Sequence, residues 1–316
     1  MKPKNLILLS ITLALLIYST SLMLKNTKNE TEQNAEKLGA QISISQPNKF
    51  ISNSPFDIPQ KSSSISKVPW ENDADFKAAQ NKHDAKVLIS AYCVVINFTS
   101  EGEQHNVHLA TKSVSGTVVQ PGEVFSQNSA IGPYTEDKGY KEGSAYIGGV
   151  VTPSIGGGAC KVASTLYNLA VLSNLEIVER YNHSMPVHYL PYGQDSTVAY
   201  GFKDLKFKNT TDAPVLIWAM PIENRVYIGF YGKKEAPKVK WRHSILEKRV
   251  APIKYQINPA LKEDEKRIIM EGMDGAKVES YVIVEYEDGT TEKKQLKSSN
   301  YWPMPHIIEV KKIPLE

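Results

Sequence analysis

The run Gly156-Gly157-Gly158-Ala159-Cys160 sets the tightest local limit on how this chain can fold. Three successive glycines stop any regular element, because they accept positive φ and let the backbone come close to a neighbour. Directly behind them Val162, Ala163, Leu166, Leu169 and Ala170 recur at helical spacing, which predicts a helix over 160–173. Cys160 then falls at or near a helix N-terminus, where unpaired N–H groups and the positive dipole end favour a thiolate. A free cysteine titrates near ~8.5, and such positions bring it into the neutral range or below. The same amides suit an oxyanion formed when sulfur attacks a carbonyl. Two other readings stay open. Cys160 is a small core residue beside a tight turn, or it is bridged to Cys93.

A nucleophilic cysteine needs a base. Of seven histidines, His183 follows the helix and a short strand, Glu176–Arg180, that carries the chain back toward the helix start. Asp195, in Gly193-Gln-Asp-Ser-Thr, is placed either to orient that imidazole or to make an Asx turn. His188 is the second choice. His105-x-x-His108 with His183 and His188 would offer imidazoles to zinc, but the spacing matches no closed ligand set, and neither metal nor cofactor is expected.

The 316 residues, 41% hydrophobic and 22% charged, provide for about two domains and exclude a wholly disordered chain. The net charge of +3 divides into +3 over residues 1–83, −1 over 84–234 and +1 over 235–316, so the folded parts are nearly neutral. No aromatic–basic interleaving points to nucleic acid. Two cysteines exclude a disulfide-dense scaffold and a four-thiolate zinc site.

Residues 5–24 are free of charge and follow Lys2 and Lys4. At 1.5 Å per residue they match a bilayer core of ~30 Å, with the N-terminus kept inside. A membrane anchor over 1–24 is therefore expected, with a cleaved signal peptide as the rival. The remainder would lie outside the cell membrane. Residues 25–83, rich in Asn, Ser, Lys, Gln and Pro, read as a disordered tether. Residues 85–98 read as a buried strand, 105–116 as a short helix ended by Gly116, and 143–151 and 197–202 as strands. Residues 214–220 and 225–231 form a hairpin pattern around Pro221–Asn224. After Pro237 a small β-rich module is expected, with residues 278–286 and 291–296 flanking the turn Glu287-Asp288-Gly289.

These residues resemble the VanW-like family of Gram-positive bacteria, named for vancomycin resistance clusters. The resemblance runs through Pro121–Ser126, Ile131–Pro133, Gly139-Tyr140, the Gly156–Cys160 turn, Ser164–Asn168, Ile177–Arg180, His183-Ser184 and Asp195–Val198. Residues 250–314, with Glu271–Gly275, resemble the glycine-framework β module that often follows it and is linked to wall-glycan adhesion. The resemblance implies an α+β fold over 84–234, with a central helix on antiparallel strands, and an all-β module over 235–316.

Some members of that family are implicated as L,D-transpeptidases acting on peptidoglycan stem peptides. Cys160 would then be the nucleophile and His183 the base. The backbone amides of Gly158, Ala159 and Cys160 would meet the oxyanion. Gly156, Gly157, Gly158, Lys161, Ser164 and Thr165 would line the substrate site. Where the family usually has Gln after the cysteine, this chain has Lys161. That change either impairs the oxyanion hole or supplies a cation for a substrate carboxylate. The implied partners are stem peptides and glycan strands, and a non-catalytic wall-binding role is the alternative.

Overall fold

Alternation with period two builds the central sheet. The computed structural model describes residues 59–97, 99–147 and 150–314. Five antiparallel strands pair in the order Ser63–Ser64 (β1), Val87–Val95 (β2), Arg225–Gly232 (β10), Val215–Ile222 (β9) and Val118–Val119 (β3). Tyr92 and Val94 of β2, with Val226, Ile228 and Phe230 of β10, turn to one face and join the main core. Ala91, Cys93, Tyr227 and Tyr231 turn to the other and meet Trp70 and Phe76. Both faces are therefore covered, as strands this apolar require.

The cover on the second face comes from a stretch expected to be tether. Residues 59–83 are folded: β1 pairs with β2, and Ala74–His83 form the first helix, α1. Asp73 caps that helix by accepting from the Phe76 N–H at 2.7 Å. Trp70 is fully buried and donates from Nε1 to the Tyr231 hydroxyl at 2.9 Å. Two buried aromatics outweigh a polar composition, and residues 59–83, expected as disordered tether, are corrected to folded structure. The expected anchor and the rest of the tether lie outside the described residues. Among the described residues no helix is long and apolar enough to cross a membrane.

The main core face holds Glu101–Val114 (α2), the short helix Gln127–Ile131 (α3) and Cys160–Leu172 (α4). Every residue of α4 from Lys161 to Val171 is buried, so this helix needs partners on all sides. It finds them in β2, β10, α2, Glu176–Glu179 (β7) and the strand Lys238–Arg249 (β11). Val124–Ser126 (β4), Lys206–Lys208 (β8) and β7 make a three-stranded sheet, and Glu142–Ile147 (β5) pairs with Val150–Ile155 (β6) as a hairpin. The single strand expected over 143–151 is thus two. The strand expected over 197–202 is absent: Ala199 and Lys203 bridge across a turn at Gly201, whose φ is +79°.

At the C-terminus β11 pairs with Gly275–Glu285 (β14), which also carries Thr291–Gln295 (β15) and Ser299–Tyr301 (β16). A second sheet orders Ile253–Ile257 (β12), His306–Val310 (β17) and Lys266–Met270 (β13), with β12 and β17 parallel. The architecture is α+β followed by an all-β module. The seam between the two parts is packed: Val282 and Val284 belong to the main core, and the Trp241 ring meets Tyr167 of α4 edge-on at 5.5 Å.

Candidate active site

The glycine turn is built against α2 and β5. Gly156 has a φ of +77°, and a Cβ on Gly157 would sit 2.4 Å from the Gly143 carbonyl. Fully buried Asn106 fixes the approach by donating to the carbonyls of Lys141 at 2.7 Å and Gly157 at 3.0 Å. The turn delivers Cys160 as the first residue of α4, whose N-cap Ala159 is already αR and makes no side-chain cap. The Ala159 N–H donates to the Gly156 carbonyl at 3.2 Å, so it is not a free oxyanion donor as expected. Among the described residues the amides of Gly158 and Cys160 have no backbone acceptor.

The loop Asp195–Val198 closes over the sulfur. Cys160 Sγ lies 3.4 Å from the Thr197 hydroxyl and accepts from the Val198 N–H at 3.4 Å. Ser164 holds this loop: its hydroxyl donates to the Ser196 carbonyl at 3.0 Å and accepts the Ser196 N–H at 2.9 Å. One turn on, Asn168 donates to the Gln194 carbonyl at 2.7 Å. Residues four apart share a helix face, so Ser164 and Asn168 act as two pins on one loop.

His183 acts on the same thiol, through a hydrogen bond and its charge. Its Nδ1 donates to Asp195 Oδ2 at 2.7 Å, which leaves Nε2 for the sulfur. Asp195 is buried and accepts four bonds. These come from the His183 N–H at 2.6 Å, His183 Nδ1, Arg180 Nη2 at 3.1 Å and the Tyr301 hydroxyl at 2.5 Å. Arg180 lies over the Tyr167 ring and also donates to the Ser299 hydroxyl at 2.7 Å.

Burial pushes the Cys160 thiol up, but the His183 hydrogen bond and charge, with Thr197 and Val198, overcome it and hold it at about 7. Burial likewise opposes the imidazolium, yet bonds to Asp195 and Cys160 raise His183 to about 9. Asp195 stays below the usual carboxylate range because His183 and Arg180 outweigh its burial. The thiol and imidazole titrate as a pair, whose main form between about 7 and about 9 is thiolate–imidazolium.

The structure brings Cys160, His183 and Asp195 together and separates the remaining expectations. Gly156, Gly157 and Gly158 shape the turn. Lys161 is buried and its ammonium pairs with Glu103, so it offers no cation to a substrate. Ser164 is fully buried under the loop, and Thr165, also fully buried, donates to the Lys161 carbonyl at 2.8 Å. These three are corrected from substrate contacts to supports, because all of α4 past Cys160 faces protein.

No hydrogen bond joins His188 to Cys160 among the described residues. The zinc reading separates too: His105 Nε2 and His108 Nε2 meet the carbonyls of Gly139 and Glu223, each at 2.8 Å. Cys93 and Cys160 are both free thiols. Burial pushes Cys93 up to about 12. Sequence reasoning missed Ser299 and Tyr301, whose bonds to Arg180 and Asp195 span more than 100 positions, and with them the role of Arg180. It also missed Glu103 and Asn106, visible only as polar residues on the apolar stripe of α2.

Residues 102–231 match the family described as VanW like protein, and residues 246–310 match the G5 domain. The chain is 36% identical over 149 residues to the uncharacterized protein YoaR of Bacillus subtilis (strain 168), covering 47% of this chain and 49% of that protein. It is 29% identical over 140 residues to the vancomycin B-type resistance protein VanW of Enterococcus faecalis (strain ATCC 700802 / V583), covering 43% and 51%. The matched part thus spans about half the length of these curated relatives.

Two solved structures are similar to about a quarter of this chain. The IgA1 protease G5 domain is 26% identical, with a TM-score of 0.16, covering 25% of this chain and 96% of that one. The HP0197-G5 crystal structure is 20% identical, with a TM-score of 0.14, covering 23% and 95%. With Cys160, His183 and Asp195 inside the first family match and β12 to β17 inside the second, the chain carries a VanW-like domain over residues 102–231 followed by a G5 domain over residues 246–310.

Proposed function

We propose that this chain is an extracytoplasmic cysteine acyltransferase of the L,D-transpeptidase type, held at the membrane by residues 5–24 and acting on peptidoglycan stem peptides. The observation that carries the reading is the line from Cys160 through His183 to Asp195, with the thiol at about 7 and the imidazole at about 9. The thiolate attacks the carbonyl carbon of the third stem residue, and the amides of Cys160 and Gly158 meet the developing oxyanion. The C–N bond breaks as the His183 imidazolium gives its proton to the departing D-alanine amine, leaving a thioester. A neighbouring stem's amine attacks that thioester, His183 takes the amine's proton back, and the thiolate is released.

A groove opens beside Tyr200. It has a volume of about 380 Å³ and is lined by Glu179, Phe202, Lys203, Asp204 and Lys206 among others. Glu179 and Lys206 pair with each other there at 2.6 Å. Phe202, 87% exposed, offers a flat apolar face beside them.

The G5 match favours a second reading, in which the chain only holds wall polymer. Mass analysis of wall fragments separates the two. On the first reading Cys160→Ala abolishes the chain's 3–3 crosslinks while leaving sacculus binding intact. Crosslinks unchanged by Cys160→Ala would leave only the second.

A further inference from the structure

The acid of the candidate triad is held by the other domain. Tyr301, the last residue of β16, lies within the G5 match, is 1% exposed, and reaches across the seam to Asp195. Its hydroxyl oxygen accepts the Gly193 N–H at 2.8 Å, so its single proton is directed to Asp195 Oδ1 at 2.5 Å. Ser299, also on β16, accepts from Arg180 Nη1, and Arg180 in turn donates to both the backbone carbonyl and Oδ1 of Asp195. The Trp302 N–H locks the strand to the Ser184 carbonyl at 2.7 Å, beside His183. The contacts of Ser299, Tyr301 and Trp302 all join the G5 part to residues 180–195.

We propose that Tyr301 is a positioning residue of the Cys160–His183–Asp195 site, so that the G5 domain is a required part of the active centre and not a separate wall-binding appendage. With Oδ1 fixed by Tyr301 and Arg180, Oδ2 is turned to the His183 ring and backbone amide, and the imidazole is turned to the sulfur. The charged and titratable groups facing this line are few. Asp195 meets His183, Arg180 and Tyr301, with Tyr167 behind Arg180. Cys160 meets His183, with Tyr134 nearby. Tyr301 stays protonated because burial and the Asp195 charge both push its titration upward.

The inference rests on the reading of Cys160 and His183 as a reactive pair, and its test needs no peptidoglycan. The rate at which iodoacetamide modifies Cys160 is followed against pH in the full chain, by mass of the labelled peptide. Tyr301→Phe keeps the ring and is expected to move the midpoint up by about one pH unit, a tenfold smaller thiolate fraction on the acid limb. Asp195→Asn moves it further, and adding Tyr301→Phe to Asp195→Asn moves it no more, because the hydroxyl acts through that carboxylate.

A midpoint unchanged by Tyr301→Phe while Asp195→Asn shifts it overturns the proposal alone. So does a Tyr301→Phe shift that persists in the Asp195→Asn background. Alike profiles for the wild type and His183→Asn overturn the reactive pair and the proposal with it. Should Tyr301→Phe fail to fold, Ser299→Ala probes the same network from the Arg180 side, with an upward shift expected and no shift refuting it.

Discussion

Replacing Glu103 by Gln tests whether the buried ion pair beside the nucleophile holds the turn together. Lys161 and Glu103 have side chains 11% and 3% exposed, so solvent screens their attraction little. Glu103 also accepts from the Thr99 N–H at 2.8 Å and its hydroxyl at 2.9 Å, fastening the start of α2. Glu103→Gln keeps the shape and removes the charge, leaving a buried ammonium beside a neutral amide, with the Tyr189 ring at 5.4 Å. Breaking a buried pair from one side costs about 3–5 kcal/mol. The ring face and the slight exposure of Lys161 place this site at the low end, about 3 kcal/mol. For a folded part of this size that lowers the melting temperature by about 6–12 °C.

Scanning calorimetry at pH 7 reads the shift. Glu103→Leu with Lys161→Met removes both charges and is expected to return to within about 1 kcal/mol of the wild type. A Glu103→Gln variant melting with the wild type, or a double variant melting below Glu103→Gln, refutes the coupling. The same reasoning bears on Lys161 standing where the resembled family usually has glutamine. Lys161→Gln alone strands Glu103 and destabilises by a similar amount.

Three further outcomes follow from the geometry. Alkylation of the wild-type chain titrates with a midpoint of about 7, and His183→Asn moves that midpoint above the free-cysteine value of ~8.5, since burial, the largest influence, is then opposed only by the Thr197 and Val198 bonds. An unmoved midpoint removes His183 as the partner. Melting temperature against pH checks the sign of the same pair. The stability that His183 adds is complete below ~6.5 and is lost as pH rises through about 9. The part from Cys160 is present above ~8.5 and is lost as pH falls through about 7. Trp70→Ala is expected to cost about 3–5 kcal/mol in a urea titration, because the ring is fully buried. An unchanged midpoint would mean that residues 59–83 are not part of the core.

What the sequence made legible was local. Three glycines before an apolar stripe announce a turn entering a helix, and the strand returning from that helix brings His183 and Asp195 within reach of its start. Long-range partners leave no such trace. Tyr301 lies 106 positions from Asp195, and nothing in its own neighbourhood marks it as more than a strand aromatic. Ser164 and Thr165 look like polar residues available to a ligand until the burial of α4 on every side turns them inward. Residues 59–83 mislead for the opposite reason. Their polar average hides Trp70 and Phe76, and a few buried rings fix a segment that composition would leave free.

The opposed facings of the two cysteines carry a redox consequence. Cys93 belongs to the cluster around Trp70, on the far side of the sheet from the core against which Cys160 packs. The chain has no third cysteine. An oxidised Cys160 sulfenic acid therefore has no resolving thiol within its own molecule. Its recovery depends on a small thiol or another protein arriving from outside, and without one it proceeds to irreversible sulfinic acid.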